Sequence, residues 1–353
     1  MGDPVLVHDL LEEGAARHPD KVAVVHRGEE LGYAELDRLA EALAAELRNL
    51  GVEEGDRVAL LLESSHEFVI AFFGVLKAGA AVVPIDLPIV ARELLHHLDD
   101  CTPKVLLTDR KRHDLARAAL EESVRPPTLA VVERSALAGA AGRSPSARPS
   151  PEAMACLLYT SGTTGEPKGV MLSHGNLLAN VESIVGYLPL EPDDRTMLVL
   201  PLTHSYGLSV LTTRLRVGGT VLVDNRFAFP NVVLEAMRQQ GATAFAGVPS
   251  HYAMLLRKSA LRKTELPTLR YVTQAGGPLP PAMIGEFLDA LPQVQFYVMY
   301  GQTEASARLS YLEPGRLMEK MGSIGRGIPG VELEVWDESG CPVKPGETGE
   351  IVA

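Results

Sequence analysis

Residues 159–174 carry the segment YTSGTTGEPKGVMLSH, in which hydroxyl side chains, glycines and one lysine stand together. The apolar run ACLLYT at residues 155–160 is typical of a buried strand, and Ser173 or His174 is suited to begin a helix. We therefore predict a glycine-rich loop between a strand and a helix. Such a placement suits phosphate, because a glycine backbone can turn its N–H groups toward an anion.

The donors in this segment indicate an anion site. Hydroxyl groups and backbone N–H groups supply hydrogen bonds, and Lys168 supplies a positive charge. An ordinary turn with Lys168 as a solvated surface charge is the alternative, but the whole string in this setting favours phosphate binding. The residues that we expect to hold phosphate are Thr160, Ser161, Gly162, Thr163, Thr164, Gly165 and Lys168.

The segment is not a Walker A loop. That motif places Gly-Lys directly before Ser or Thr, whereas here Pro167 precedes Lys168 and Gly169 follows it. No hydroxyl follows the lysine to hold magnesium, so a metal ligand must come from another part of the chain.

On both sides of this segment, short apolar runs alternate with helical patterns. Leucines from Leu36 to Leu50 recur at helical spacing, and Gly51 follows them as a helix stop. The alternation is typical of βαβ units and predicts an α/β fold with mostly parallel strands. The predicted strands around the segment are VALLL, AVVPI, KVLLTD and TLAVVE before it, and TMLVL, TVLVD, TAFAG, RYVTQAG and QFYVMYG after it.

The chain divides into three predicted regions. Residues 1–150 form a first α/β subdomain that ends in a mobile surface loop, because residues 139–150 lack apolar periodicity. Residues 151–321 form a second α/β subdomain with the phosphate loop. Residues 322–353 contain only strand and turn signals, which predicts the start of a small β subdomain.

Composition excludes several classes of protein. A formal net charge of -12 argues against nucleic-acid binding, and three widely spaced cysteines indicate neither a disulfide framework nor a metal clip. The most apolar stretch, residues 68–85, is interrupted by Lys77, which argues against stable membrane insertion. The N-terminus lacks the features of a signal peptide. We predict a cytoplasmic protein and leave its oligomeric state open.

Five further segments complete a pattern: LKAGAAVVPID (76–86), PLTHSYG (201–207), QAGGPLP (274–280), YGQTE (300–304) and TGEI (348–351). With YTSGTTGEPKG, and in this order, they resemble the core motifs of the acyl-adenylate-forming (AMP-binding) enzymes, most closely the acyl-CoA synthetases. The resemblance covers essentially the whole chain. It implies the large N-terminal domain of such enzymes, with two mostly parallel sheets flanked by helices and the start of a small β subdomain.

The resemblance also implies a reaction. A small carboxylic acid attacks the α-phosphate of ATP, pyrophosphate leaves, and a thiol captures the acyl-adenylate. ATP and Mg²⁺ are the implied cofactors, and CoA is the implied acceptor. Such enzymes continue past TGEI into a small C-terminal domain that carries a lysine for adenylation. That domain is absent here, so the resemblance implies a truncated portion with severely reduced catalysis.

The YGQTE motif follows a predicted strand, which places Gln302, Thr303 and Glu304 at the carboxyl edge of a parallel sheet. The resemblance implies that Tyr300 stacks on adenine, Thr303 contacts the α-phosphate and Glu304 binds Mg²⁺. A glutamate that caps a helix after a strand is the alternative. The lack of a magnesium ligand in the phosphate loop favours the metal role.

The QAGGPLP motif ends another predicted strand. Its small residues would let a flat base or acyl group lie against the backbone, and an ordinary turn is the alternative. The further nucleotide contacts that we expect are Gly276, Gly277, Pro278, Tyr300, Gly301, Gln302 and Thr303.

His204 resembles the family residue between the substrate carboxylate and the α-phosphate. We assign it substrate orientation rather than proton transfer, because a carboxylate is already ionised at neutral pH. With Lys168, Thr303 and Glu304 it completes the expected catalytic set. The expected acyl pocket consists of His204, Tyr206, Leu208, Ser209, Val248, His251, Gln274, Ala275 and Gly276.

The acyl pocket limits the substrate class. Residues 203–209 contain no carboxylate to pair with an α-ammonium group, so an acid without that amine is favoured. The mixed lining suits aryl, medium acyl or hydroxylated acids. Three functions remain: a truncated ATP- and acyl-binding portion of an acyl-CoA synthetase, an adenylation domain that loads the pantetheine of a carrier protein, and a catalytically silent nucleotide-binding module.

Overall fold

The short apolar runs of the sequence become buried strands in the structure, a computed structural model that describes residues 5–138, 147–161 and 167–353. The helices of these ranges are α1 (Asp9–Arg17), α2 (Tyr33–Asn49), α3 (His66–Lys77), α4 (Ala91–Cys101), α5 (His113–Glu121), α6 (Arg134–Ala138), α7 (His174–Val185), α8 (Ser205–Val217), α9 (Pro230–Gln239), α10 (Pro249–Lys258) and α11 (Pro281–Ala290). Short 3-10 turns lie at Leu261–Lys263, Thr303–Ala305 and Pro314–Arg316.

The strands of the described ranges confirm every strand that the sequence predicts. They are β1 (Val22–His26), β2 (Glu29–Gly32), β3 (Arg57–Leu61), β4 (Ala81–Pro84), β5 (Val105–Thr108), β6 (Thr128–Val131), β7 (Met154–Ser161), β8 (Pro167–Ser173), β9 (Arg195–Leu198), β10 (Thr220–Val223), β11 (Ala244–Gly247), β12 (Tyr271–Gln274), β13 (Gln295–Tyr300), β14 (Ser310–Leu312), β15 (Arg326–Gly327), β16 (Glu334–Trp336) and β17 (Glu350–Val352).

Two mostly parallel sheets contain nearly all of the described strands. The larger, nine-stranded sheet has the order β15-β14-β13-β12-β11-β9-β10-β1-β2, and its pairs from β13 to β1 are parallel. The smaller, six-stranded sheet has the order β6-β5-β3-β4-β7-β8 and is parallel except for β7 and β8. Strands β16 and β17 form a separate antiparallel pair. The predicted α/β fold class is confirmed.

The sheets exchange strands along the chain. β1 and β2 from the first fifty residues join the larger sheet, whereas β7 and β8 join the smaller sheet with β3 to β6. Each sheet therefore takes strands from both sides of residue 150, and the boundary predicted there does not separate them. The region after residue 321 is also shared, because β15 belongs to the larger sheet while β16 and β17 stand apart.

Buried helices hold the two sheets together. The predicted leucine helix is α2, and Gly51 after it has φ +81°, a conformation that glycine adopts without steric cost. α3 is buried along its whole length and packs on α2. One hydrophobic cluster joins α2 and α3 to apolar side chains of both sheets, such as Val58 and Val221. Burial of this shared core keeps the two sheets in contact.

The phosphate-loop segment differs from its prediction in one respect. Residues 167–173 form strand β8, paired antiparallel with β7, so the described ends of the loop belong to two strands rather than to a strand and a helix. Val170 and Leu172 face inward and Met171 is exposed, an alternation that favours a strand. The helix start is confirmed: α7 begins at His174, and the Ser173 side chain accepts a hydrogen bond from the Asn176 N–H at 3.0 Å.

The predicted mobile loop lies partly outside the described residues, which omit 139–146. Its described end is fixed. The Ala147 N–H donates to the Lys77 carbonyl at 2.8 Å, and Arg148 forms ion pairs with Asp9 and Glu12. These contacts tie residues 147 and 148 to α3 and α1, and the mobility of the rest of the segment stays a prediction.

Two further predictions concern cysteines and membranes. Cys101 and Cys156 are buried free thiols and Cys341 is an exposed one, which agrees with the absence of a predicted disulfide framework. Among the described residues, no helix has both the length and the apolar character needed to cross a bilayer.

Candidate active site

A cavity of about 390 Å³ lies where four neighbouring parallel strands end. The segments after β9, β11, β12 and β13 meet there because parallel strands present their carboxyl ends at one edge of the sheet. The cavity brings together nine of the residues that the sequence predicts for the site: His204, Tyr206, Val248, His251, Ala275, Gly276, Gly301, Gln302 and Thr303.

A larger cavity of about 1060 Å³ adjoins the first. Tyr300 and Glu304 line it, together with Met171 and Leu172 of β8. Gln302 and Arg308 line both cavities, so the two volumes meet at the turn after β13. We name the smaller volume the inner cavity and the larger volume the outer cavity.

Thr160 and Lys168 stand opposite each other at the end of the β7–β8 hairpin, where the Thr160 hydroxyl donates to the Lys168 carbonyl at 3.5 Å. Lys168 is exposed. Strand β8 contacts the turn Thr303–Ala305, so the element that carries Lys168 is a neighbour of the element that carries Glu304. The side chain of Ser161 and the predicted phosphate contacts Gly162, Thr163, Thr164 and Gly165 lie outside the described residues.

Glycines shape the walls of the inner cavity. Gly276 has φ +79°, and a Cβ there would approach Val248 Cγ1 to 3.0 Å, so a side chain would narrow the wall. At Gly301 a Cβ would overlap the carbonyl oxygen of Ala307. The chain therefore turns back on itself at Gly301 only because that residue lacks a side chain. Gly276 leaves bare backbone at the wall of the inner cavity.

His204 has a carboxylate partner that the sequence analysis did not assign. Its Nε2 lies 3.3 Å from Asp86 Oδ2, and the Thr203 hydroxyl donates to Asp86 Oδ1 at 2.9 Å. The hydrogen bond to Asp86 raises the pKa of His204, against the opposing effect of burial. Burial alone would raise the pKa of Asp86, but hydrogen bonds from His204 and Thr203 together lower it. The pair favours a protonated His204 at the cavity wall.

Thr303 and Glu304 of the YGQTE motif line different cavities. The Thr303 hydroxyl lies 3.3 Å from that of Ser205 on the inner cavity, whereas Glu304 is exposed on the outer cavity. Within the described ranges Glu304 forms no salt bridge, so its carboxylate is free for a cation. An exposed oxygen ligand of this kind fits Mg²⁺, which keeps several waters and bridges phosphate oxygens.

Part of the predicted acyl pocket lies beneath the cavity wall. Leu208 and Ser209 are buried in α8, where the Ser209 hydroxyl donates to the Tyr206 carbonyl at 2.8 Å. Gln274 is also buried, and its Nε2 donates to the Gly277 carbonyl at 2.7 Å. These three residues do not line the inner cavity and instead support it. Gly277 and Pro278 are exposed just beyond the end of β12.

His251 and Tyr206 define the polar part of the wall. Burial lowers the pKa of His251 to about 4, so this imidazole is neutral at pH 7. The Tyr206 hydroxyl donates to the Thr273 carbonyl at 2.9 Å, and burial raises the pKa of the phenol. Neither group carries a charge at neutral pH.

Sequence reasoning missed two residues of the site. Asp86 stands at the end of a quoted motif, and its position directly after an apolar strand is a signal that it reaches the sheet edge. Arg308 is a lone cation in the run ASARLSYL after YGQTE. Its relative exposure is 3%, which the sequence pattern does not reveal.

Known proteins resemble this chain over nearly its whole length. A model of the AMP-binding enzyme family matches residues 11–353. A feruloyl-CoA synthase of Amycolatopsis sp is 35% identical over 96% of this chain and 67% of the relative. An indoleacetate–CoA ligase of Aromatoleum aromaticum is 32% identical over 98% of this chain and 69% of the relative. The crystal structure of the anthranilate CoA ligase AuaEII with anthranoyl-AMP superposes with a TM-score of 0.92 and 26% identity, over 99% of this chain and 69% of that protein.

Proposed function

This chain belongs to the AMP-binding enzyme family, which includes the adenylate-forming acyl-CoA ligases, and we propose that it activates a carboxylic acid with ATP and transfers the acyl group to CoA. The observation that carries the proposal is the junction of the inner and outer cavities at Gln302 and Arg308, beside Thr303 of the inner cavity. It supports one site for an acid and an adjoining site for a triphosphate.

The proposed reaction has two steps. A carboxylate oxygen of the acid attacks the α-phosphorus of ATP, the bond to pyrophosphate breaks, and an acyl-adenylate forms. The thiolate of CoA then attacks the acyl carbon, and AMP leaves with the electron pair of the carbon–oxygen bond. No general base is needed in the first step, because the acid is already ionised.

The side of the inner cavity that carries His204 suits the first step. His204, held by Asp86, would face the acid carboxylate and the α-phosphate, and Thr303 would donate to the phosphate. Donors that are fixed before the reaction stabilise developing negative charge without reorganising. Lys168, on the neighbouring β8, would meet the departing pyrophosphate.

The proposed nucleotide contacts are divided between the two cavities. Tyr300 would stack on adenine at the outer cavity, and the bare backbone at Gly276 and Gly277 would lie beside the base. Glu304 would hold Mg²⁺, which neutralises charge on the phosphate oxygens when it is bound. The relatives named above include enzymes of aryl acids, and the mixed wall of the inner cavity suits such an acid.

ATP–pyrophosphate exchange across a panel of carboxylic acids tests the proposal, with binding of the matching acyl sulfamoyl adenosines as a second readout. We expect exchange only with an accepted acid, at the severely reduced rate that the resemblance implies for this portion, and thioester formation with free CoA. Thr303→Val should lower exchange by about a hundredfold, because it removes a donor at the cavity junction. Thr264→Val is the control, since Thr264 lines neither cavity.

Two outcomes would replace the proposal. Thioester formation with a phosphopantetheinyl carrier protein but not with CoA would identify a carrier-loading domain. Binding of ATP with Mg²⁺, without exchange or adenylate-mimic binding for any acid, would identify a catalytically silent nucleotide-binding module.

A further inference from the structure

Arg308 is a buried cation at the junction of the two cavities. Its relative exposure is 3%, and its backbone carbonyl accepts a hydrogen bond from Asn180 Nδ2 at 3.0 Å. Its guanidinium carbon lies 3.9 Å from the centroid of the Tyr206 ring. Its Nε has no hydrogen-bond partner among the described residues.

The neighbours of this guanidinium do not neutralise it. The guanidinium shares a hydrogen bond with the Tyr187 hydroxyl and lies near that of Tyr206, but burial raises the pKa of both phenols, so both are neutral. His204 and His251 line the same inner cavity, and neither is an anion. In the described ranges no aspartate or glutamate forms a salt bridge with Arg308. Glu304 lines the outer cavity with Arg308 and is exposed.

A guanidinium stays protonated even when it is buried. Burying a charge without a counter-ion is unfavourable, and the face of one tyrosine offsets only part of that cost. The remaining N–H groups form a planar fork that matches a carboxylate. An anionic ligand would therefore supply the counter-ion that the described residues do not provide.

The backbone holds Arg308 at this place. Ser306 and Ala307 have φ values of +61° and +127°, conformations that side chains other than glycine rarely adopt. The Ala307 carbonyl packs against Gly301 at the cavity wall. Strained backbone of this kind persists where the surrounding structure fixes it, often at ligand sites.

We propose that the acid activated by this chain carries a second anionic group, and that Arg308 binds it as a carboxylate in the inner cavity. This inference rests on the proposed function and names its substrate class: a small dicarboxylic acid. One carboxylate lies by His204 and Thr303 and reacts, while the other pairs with Arg308. The surrounding wall of Tyr206, Val248 and Ala275 contacts the carbon chain between them.

The position at the junction leaves one competing ligand, the α-phosphate of the nucleotide. The Tyr206 ring beneath the guanidinium lines the inner cavity, where the acid is proposed to bind. This location favours the acid over the α-phosphate as the ligand of Arg308. The two ligands predict different kinetics, because a phosphate contact would affect every acid equally and a second-carboxylate contact would affect diacids alone.

The test compares wild type, Arg308→Met and Arg308→Lys in ATP–pyrophosphate exchange with matched acid pairs: succinate and butyrate, glutarate and valerate, adipate and hexanoate. We expect wild type to prefer the diacid of at least one pair. Arg308→Met should lose about tenfold to a hundredfold in the ratio of kcat/KM for that diacid to kcat/KM for its matched monoacid. Arg308→Lys should recover part of the loss.

Cooperative thermal unfolding of Arg308→Met near the wild-type midpoint would show that this variant is folded. Equal use of both acids of every pair by wild type would overturn the inference and leave the proposed function intact. A uniform loss for all acids, with a raised KM for ATP, would also overturn it and assign Arg308 to the phosphate. Absence of both exchange and adenylate-mimic binding for every acid would overturn both proposals.

Discussion

The two edges of the larger sheet differ in how their buried charged side chains are paired. At the amino ends of its strands, Asp194 accepts hydrogen bonds from Thr243 and Arg270, both at 2.6 Å, and from the Tyr271 hydroxyl at 3.3 Å. Arg214 joins this network through the Tyr271 hydroxyl at 2.7 Å. At the carboxyl ends, Arg308 is buried to a similar degree and has no counter-ion among the described residues.

The paired charges at the amino edge contribute to stability, whereas the groups at the carboxyl edge are available for function. Around Asp194, hydrogen bonds outweigh burial and lower the pKa of the carboxyl, although Arg214 Nη1 in the same network has no hydrogen-bond partner among the described residues. Groups at the carboxyl edge keep unused donors and acceptors that a ligand can meet. A fold can hold its sheet together at one edge and leave the other edge ready to bind.

The largest effect is expected when the hydrogen-bond network around Asp194, at the amino edge, is disrupted. Asp194→Ala removes a fully buried carboxylate and leaves Arg270 and Arg214 without it, so we expect unfolding to become easier by about 3 to 5 kcal/mol. Denaturant unfolding measures the change. Its neighbour Asp193 has a side chain that is 99% exposed, and Asp193→Ala should change stability by less than about 0.5 kcal/mol. Equal effects at the two positions would contradict a structural role for the network.

A smaller effect is expected at the carboxyl edge itself. Gly301→Ala forces a methyl group against the Ala307 carbonyl, and we expect a loss of about 1 to 3 kcal/mol together with weaker adenylate-mimic binding. Gly285→Ala is the control, because a Cβ there meets nothing within 4 Å and alanine favours the helix α11. Thermal unfolding and calorimetric titration report the two quantities. An unaltered Gly301→Ala protein would show that this turn has room to shift.

The smallest expected effect is a change in the pH dependence of the His204–Asp86 pair. Asp86→Asn should return the pKa of His204 toward its ordinary value, as measured by NMR titration of the imidazole. His204 has a raised pKa and Asp86 a lowered one, so their attraction operates above the pKa of Asp86 and is lost as pH rises through that of His204. Both side chains are about half exposed, so the stability difference is small. A variant with an unchanged His204 titration would exclude Asp86 as its partner.

Much of the fold could be predicted from the sequence, because strand identity depends on local pattern. Every predicted strand was confirmed, from VALLL to QFYVMYG; α2 begins and ends close to its predicted positions, and α7 begins at its predicted position. Strand β8 was missed because its alternation covers only Val170 to Leu172, beside a loop that looked complete without it. The assignment of strands to sheets depends on pairing between distant residues, which no local pattern encodes.

The site could be predicted only in part for a similar reason. Residues that follow a strand, such as His204, Gly276 and Thr303, could be placed at the sheet edge from sequence alone. Leu208 and Ser209 follow the same motif, but helix geometry turns them into the protein interior. Burial of Arg308 depends on Tyr206, about a hundred residues earlier in the chain, so only the assembled structure reveals an arginine without a counter-ion.

The exchange of strands between the sheets has a consequence for synthesis. Val24 of β1 pairs with Val221 of β10, so nearly two hundred residues leave the ribosome before this edge of β1 finds its neighbour. Contacts so distant in sequence slow folding and leave an unpaired strand edge exposed to other chains. We expect the nascent polypeptide to depend on chaperones until β10 emerges, and separately expressed halves divided near residue 150 to recover structure only when they are mixed.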